Sequence, residues 1–175
     1  MATVERARFA YADPPYVGQA KRHYGDHPDF GGEVDHGALL ADLESFDGWA
    51  LSLSMKSLPA IAKLVPDDVL TLSWVKPISP PMGDQRIYSW EPVLLKPLRR
   101  PAVPTRTHLV LSPPQFTFRA RPAEHVIGEK PEAFCHWLFA CAGLTPEDDF
   151  EDVFPGSGAV GRAWDQFCAQ GRLVV

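Results

Sequence analysis

"RFAYADPPY", residues 8–16, is an apolar run that ends in an acid, two prolines and a tyrosine. Residues 6–12 have the composition of a buried strand. Two consecutive prolines forbid a helix interior and a central-strand continuation, because each removes a backbone donor and fixes φ. The backbone must therefore leave the sheet here, and it leaves Asp13 and Tyr16 at a strand's end. Ligands of open α/β sheets bind at strand ends. A rigid turn with a solvated aspartate explains an isolated DPPY equally well, so the rest of the chain has to decide.

Working outward, residues 17–34 hold glycines and charges with scattered apolar residues and read as a loop. "DHGALLADLESF" opens on Asp35 as an N-cap and spaces Leu39, Leu40 and Leu43 for one helix face. "GWALSLS" alternates as a strand does, and "SLPAIAKLVP" reads as a short helix stopped by Pro66. "VLTLSWVKP" and "EPVLLKP" are two more strands, and "HLVLSPP" is a short strand or an extended arm. "KPEAFCHWLFACAG" is a helix with Pro131 in its first turn, Phe134, Trp137, Leu138 and Cys141 on one face, and Gly143 ending it. "DFEDVF" is then a strand, "SGAVGRAWDQFCAQG" a helix and "RLVV" a last short strand. Strands alternating with helices predict a mostly parallel, layered α/β sheet.

The 175 residues suit a single domain, 1–175, with a real core. An apolar fraction of 45% excludes wholesale disorder, and the 18 prolines crowd the middle of the chain into extended loops. No apolar run is long enough to span a bilayer and no leader pattern is present, so the expected location is the cytoplasm, with no membrane partner. Cys135, Cys141 and Cys168 lack metal spacing and are expected as reduced, buried thiols. The net charge of −5 offers no global attraction to nucleic acid.

"FPGSGAVGRAW" carries Gly156, Gly158 and Gly161 in a G-x-G-x-x-G pattern between a strand and a helix. Such glycines let the backbone approach a ligand, and helix-start amides face its polar groups. A dinucleotide fingerprint also needs an acid roughly 20 residues further on, after the next strand. None appears before Val175, so nicotinamide binding is disfavoured. What remains is a compact cofactor contacted also by earlier segments, or a merely structural strand–turn–helix.

Taken in order, "ADPPY", "EKPEAF" and "DVFPGSG" resemble the S-adenosylmethionine-dependent amino-methyltransferases of DNA, in the circularly permuted class with the catalytic motif ahead of the cofactor motif. "WVKP" and "SWEPVLL" are similar to that family's central strands, and the resemblance covers nearly the whole chain. It implies a Rossmann-like methyltransferase sheet, permuted and minimal, and S-adenosyl-L-methionine as cofactor. By family analogy Lys130, Asp152, Phe154, Gly156, Ser157 and Gly158 surround that cofactor, with Asp13 near its amino group. The implied chemistry is methyl transfer to an exocyclic amine whose lone pair is delocalised into the base. Asp13 and the Pro14 carbonyl would accept its N–H bonds and Tyr16 would stack on the flipped base. The DPPY form leans to adenine over cytosine. Two departures stand out: no acid for the cofactor ribose follows the glycine motif, and no segment is long enough for a separate recognition domain.

The alternatives are a non-catalytic or partner-dependent subunit of the same fold, or methylation of RNA, protein or a small molecule. If DNA is the partner, the basic residues available are Lys21, Arg22, Arg99, Arg100 and Arg106, and a homodimer or recognition subunit would help an acidic protein hold a polyanion. A solvated loop accounts for Lys21 and Arg22 equally well, and a plain proline-rich loop accounts for the Arg99–Arg106 stretch slightly better than a basic arm does. His23 and His27 are separated by Gly25 and followed by Pro28, which argues against a shared metal-binding face. His36 reads as a helix-start residue and no metal is expected.

Overall fold

The computed structural model describes residues 6–15, 34–77, 87–111 and 129–171. Within them the chain runs β1 (Arg8–Ala12), α1 (His36–Leu43), β2 (Gly48–Ser52), α2 (Leu58–Ile61), β3 (Leu70–Val75), β4 (Trp90–Lys96), β5 (His108–Val110), α3 (Glu132–Ala142), β6 (Asp149–Asp152) and α4 (Ala159–Gly171). The loop expected over 17–34 and the strand expected for "RLVV" lie almost wholly or wholly outside the described residues.

The strands form one six-stranded sheet in the order β5-β3-β4-β2-β1-β6. β1 pairs parallel with β2 and with β6, and β3 pairs parallel with β5. β4 alone runs the other way, antiparallel to β2 and β3. The expected mostly parallel sheet is thus present, with one reversed strand inside it. Pro92 sits on that reversed strand one residue past the last β2 pair, Ser52–Val93, where its carbonyl still accepts from the Leu53 amide at 3.0 Å. A missing amide costs least at such a place.

Alternation sorts the strand side chains to two buried faces. Phe9, Tyr11, Leu72, Trp74 and Val93 pack with Phe134, Leu138 and Phe139 of α3 and Val160 and Ala163 of α4. Ala10, Ala12, Trp49, Leu51 and Leu94 pack with Leu39, Leu40 and Leu43 of α1 and Ile61 of α2. The result is a sheet between two helical layers. The Asp35 carboxylate caps α1 by accepting from the amides of Gly37 at 2.9 Å and Ala38 at 3.1 Å. α2 is a four-residue turn, shorter than the sequence suggests. Pro131 lies one position earlier than expected: it is the extended N-cap of α3 (φ −62°, ψ 146°), so its fixed φ is used before the helix and not in its first turn. Gly143 closes α3 with φ 68°. Cys135 and Cys141 are buried thiols, while Cys168 is only half-buried, a departure from the expected buried trio.

Five parallel strands end at the same edge of the sheet, and the reversed β4 begins there. That edge gathers Asp13 after β1, Lys76 after β3, Glu91 at the start of β4 and Asp152 at the end of β6. The loops leading into α3 and α4 meet it as well. Residues distant in sequence become one site for this reason.

Candidate functional site

Asp13 is fixed from two directions. The Tyr11–Asp152 register holds the strand it leaves against β6, and Lys130 Nζ donates to Asp13 Oδ2 at 2.7 Å. The Lys130 ammonium is buried, with its side chain 6% exposed. Burial alone would push Lys130 down, but Asp13 and Glu91 outweigh it and hold the ammonium protonated above its usual range. Burial, opposed by Lys130, raises the Asp13 carboxyl above the ordinary carboxylate range. The bond occupies Oδ2 and leaves Oδ1 without a partner among the described residues.

A second ion pair stands beside the first. Lys76 Nζ donates to Glu91 Oε1 across β3 and β4, and both side chains are mostly buried. The buried Trp74 indole links the pairs, with Lys76 Nζ 4.2 Å and Lys130 Nζ 5.8 Å from its ring centre. Sequence reasoning read "WVKP" and "SWEP" only as strands and missed this pair. Their signal was a charge one residue beyond a strand end facing a charge at the next strand's start, which becomes informative only once β4 is known to run backwards.

Asp152 is the third carboxylate. It accepts a hydrogen bond from the Phe154 backbone N–H, and burial pushes its carboxyl up to about 6. Its Oδ1 is buried with no hydrogen-bond partner among the described residues. Beyond it, Gly156 and Gly158 turn at φ 46° and 72°, conformations that favour glycine. Arg162 closes the loop by donating to the Ser157 carbonyl at 2.8 Å and to Glu129 at 3.0 Å. Gly161 differs, since a Cβ there would meet nothing within 4 Å. A dinucleotide fold uses its third glycine for close helix–strand packing, and this helix has no such need. A cavity of about 270 Å³, bounded by Lys130, Pro131, Glu132 and Arg162, opens between the starts of α3 and α4. An unpartnered buried carboxylate oxygen on Asp152 and a turn of glycine amides after it suit a small cofactor carrying both cationic and anionic groups, such as the one the resemblance implies. The cavity's own lining shares only Lys130 with the expected cofactor residues.

The structure thus brings Asp13, Pro14, Lys130, Asp152, Phe154, Gly156, Ser157 and Gly158 to one edge. Tyr16, Lys21 and Arg22, like His23 and His27, lie outside the described residues. Arg99 is at the other edge of the sheet, where it makes two 2.7 Å bonds to the fully buried Asp148. The cause of this pairing is local: Asp148 sits where β6 begins and needs a counter-ion. Arg100 and Arg106 are exposed, and the Arg106 carbonyl accepts from Trp137 Nε1 at 2.8 Å. His36 begins α1, its Nδ1 3.0 Å from the Val34 carbonyl, as a helix-start residue would be.

No protein-family model and no curated protein sequence matches the chain. Among solved structures it is similar to M1.HpyAVI in complex with SAM, at 18% identity and a TM-score of 0.57 over 93% of this chain and 79% of that one. It is likewise similar to M1.HpyAVI alone, at 16% identity and a TM-score of 0.53 over 93% and 77% of the two chains. The chain therefore shares the fold of M1.HpyAVI, a Rossmann-like α/β sheet.

Proposed function

We propose that the chain transfers a methyl group from S-adenosyl-L-methionine to the exocyclic amine of a DNA base, with adenine ahead of cytosine. The observation that carries this reading is the position of Asp13. Its carboxylate is held on one oxygen by Lys130, is open on the other among the described residues, and stands on the strand next to the glycine-loop strand. A bound sulfonium cofactor would supply the electrophilic methyl group. Asp152, Lys130 and the turn from Phe154 to Gly158 would hold it, and the similar M1.HpyAVI structure is a complex with the same ligand. Asp13 Oδ1 and the Pro14 carbonyl would accept the two N–H bonds of the amine, concentrating its lone pair for in-line attack. Tyr16 would stack on the base. The amine strand precedes the glycine strand in the chain, which is the order of the permuted class.

The basic face is thinner than the sequence implies, because Asp148 engages Arg99 on the opposite edge. This favours a second copy or a recognition subunit that supplies phosphate contacts, and it keeps alive the partner-dependent reading of the same fold. Incubation with DNA and labelled cofactor, followed by mass spectrometry of the bases, tests the proposal. N6-methyladenine is the expected product. Methylated cytosine would move the base assignment, and methyl transfer to RNA, protein or a small molecule but not to DNA would overturn the substrate.

A further inference from the structure

Among the described residues, the strand ends around Asp13 bring together the carboxylates of Asp13, Glu91 and Asp152 and the ammonium groups of Lys76 and Lys130. Asp13 has Lys130 and Glu91 has Lys76. Asp152 has no cation of its own among the described residues, and its Oδ1 is buried without a partner there. The groups that face it are the Phe154 amide from its own loop, Asp13 from β1, Lys130 ahead of α3 and Cys135 on α3. Lys130 is already committed to Asp13 at 2.7 Å, and burial pushes the Cys135 thiol up to about 12, so it stays neutral. These five described groups thus carry one net negative charge when all are ionised.

A methyl donor for an amine bound on Asp13 must place its sulfonium beside Asp13, because in-line transfer requires contact between the two reacting groups. The donor carries a sulfonium, an ammonium and a carboxylate, and is a monocation. Its demethylated product has lost the sulfonium charge and is neutral overall. We propose that Asp152 makes the site selective for the charge on sulfur: in mildly acidic solution it shares a proton when no cation is present and gives it up when the sulfonium cofactor binds, and at higher pH its charge favours the sulfonium directly. The proposal rests on the methyltransferase reading above and adds to it a proton-coupled preference for donor over spent product. An enzyme whose product resembles its cofactor so closely gains turnover from such a preference.

Calorimetric titration at pH 6 in two buffers of different ionisation enthalpy, with S-adenosylmethionine and with its demethylated thioether, tests the proposal. Neither the amino nor the carboxyl group of either ligand titrates near that pH. The wild-type protein should release more protons with the sulfonium than with the thioether, up to about half a proton per site given a carboxyl at about 6. At pH 8 the preference for sulfonium over thioether should fall roughly tenfold in Asp152→Asn. If both ligands bind with equal proton release, or if the variant keeps the wild-type preference, the charge-selection proposal is overturned while the methyltransferase reading stands. If neither ligand binds at millimolar concentration, both fall. Should Asp152→Asn not fold, Asp152→Ser takes its place under the same two outcomes, because Asp13 is also raised and wild-type proton release alone does not separate the two carboxyls.

Discussion

Two aspartates bracket the short strand β6 and meet opposite fates. Asp148, just before it, is satisfied on every side: it accepts from the amides of Ala7 and Thr145, from the Thr145 hydroxyl and twice from Arg99. Burial works to raise Asp148, but those donors outweigh it and hold the carboxyl below its ordinary range. Asp152, at the strand's other end, has one backbone donor and an oxygen unpartnered among the described residues, and burial raises it to about 6. One end of the sheet is built to be stable and the other to be charged. A stable fold leaves few buried acids in the second condition, and those it keeps mark sites where something else is meant to bind.

The difference can be broken from either end. Asp13→Ala should lower methyl transfer to DNA by about a hundredfold or more. Because it leaves the buried Lys130 ammonium without its partner, it should also cost about 3 kcal/mol in denaturant unfolding. Activity is therefore read at a temperature where circular dichroism shows the variant folded. Activity within about threefold of wild type would remove Asp13 from the mechanism. At the opposite edge Arg99→Met should cost about 3 kcal/mol in denaturant unfolding, because it leaves the buried Asp148 charge without its partner. Its salt dependence of DNA binding should match wild type, and a shallower slope would return Arg99 to the nucleic-acid face. Gly143→Ala should destabilise by about 1–2 kcal/mol or more. The φ of 68° is unfavourable to alanine, and the added Cβ would lie 2.5 Å from the Arg99 carbonyl oxygen.

The smallest effect has the most telling sign. The folded carboxyl of Asp152 lies above its ordinary value of 3.8, so the protein loses stability as pH rises from there through about 6. Asp148 lies below that value and contributes stability that is present at neutral pH and lost as pH falls through its lowered range. Asp152→Asn should therefore raise stability by about 1 kcal/mol at pH 8 and leave it nearly unchanged at pH 4. Thermal melts at the two pH values measure this. A variant less stable at both would mean that Asp152 is as structural as Asp148.

Much of this site was legible in the residues, for identifiable reasons. The prolines after Asp13 and the glycines after Phe154 are constraints written at single positions, and both appear where the chain pattern puts them. Asp35, Gly143 and the apolar faces of α1 and α3 were equally local. Non-local facts were not legible. That Lys130 reaches Asp13, or that Lys76 meets Glu91, depends on which strand lies beside which and in what direction. The partner of Arg99 was hidden in the same way, because a cation in a proline-rich stretch looks like a free hand until the fold brings a buried acid to it. Asp148 and Asp152 are the clearest case. Both are plain aspartates close to "DFE", and only tertiary contacts make one a bolt and the other a receptor.

The pairing of β1 with β6 carries a consequence in time. Ala7 accepts from the amide of Asp149, and Tyr11 lies opposite Asp152. A first strand therefore waits for nearly the last one, the kind of long-range closure that slows folding. On a ribosome adding about 5–20 residues each second, Asp13 emerges on the order of ten seconds before the glycine loop that completes its surroundings. During that interval β2 can already cover one side of β1, while the other side has no partner among the described strands. The half-built protein carries an apolar ledge without chemistry, a substrate for chaperones before it is a tool for anything else.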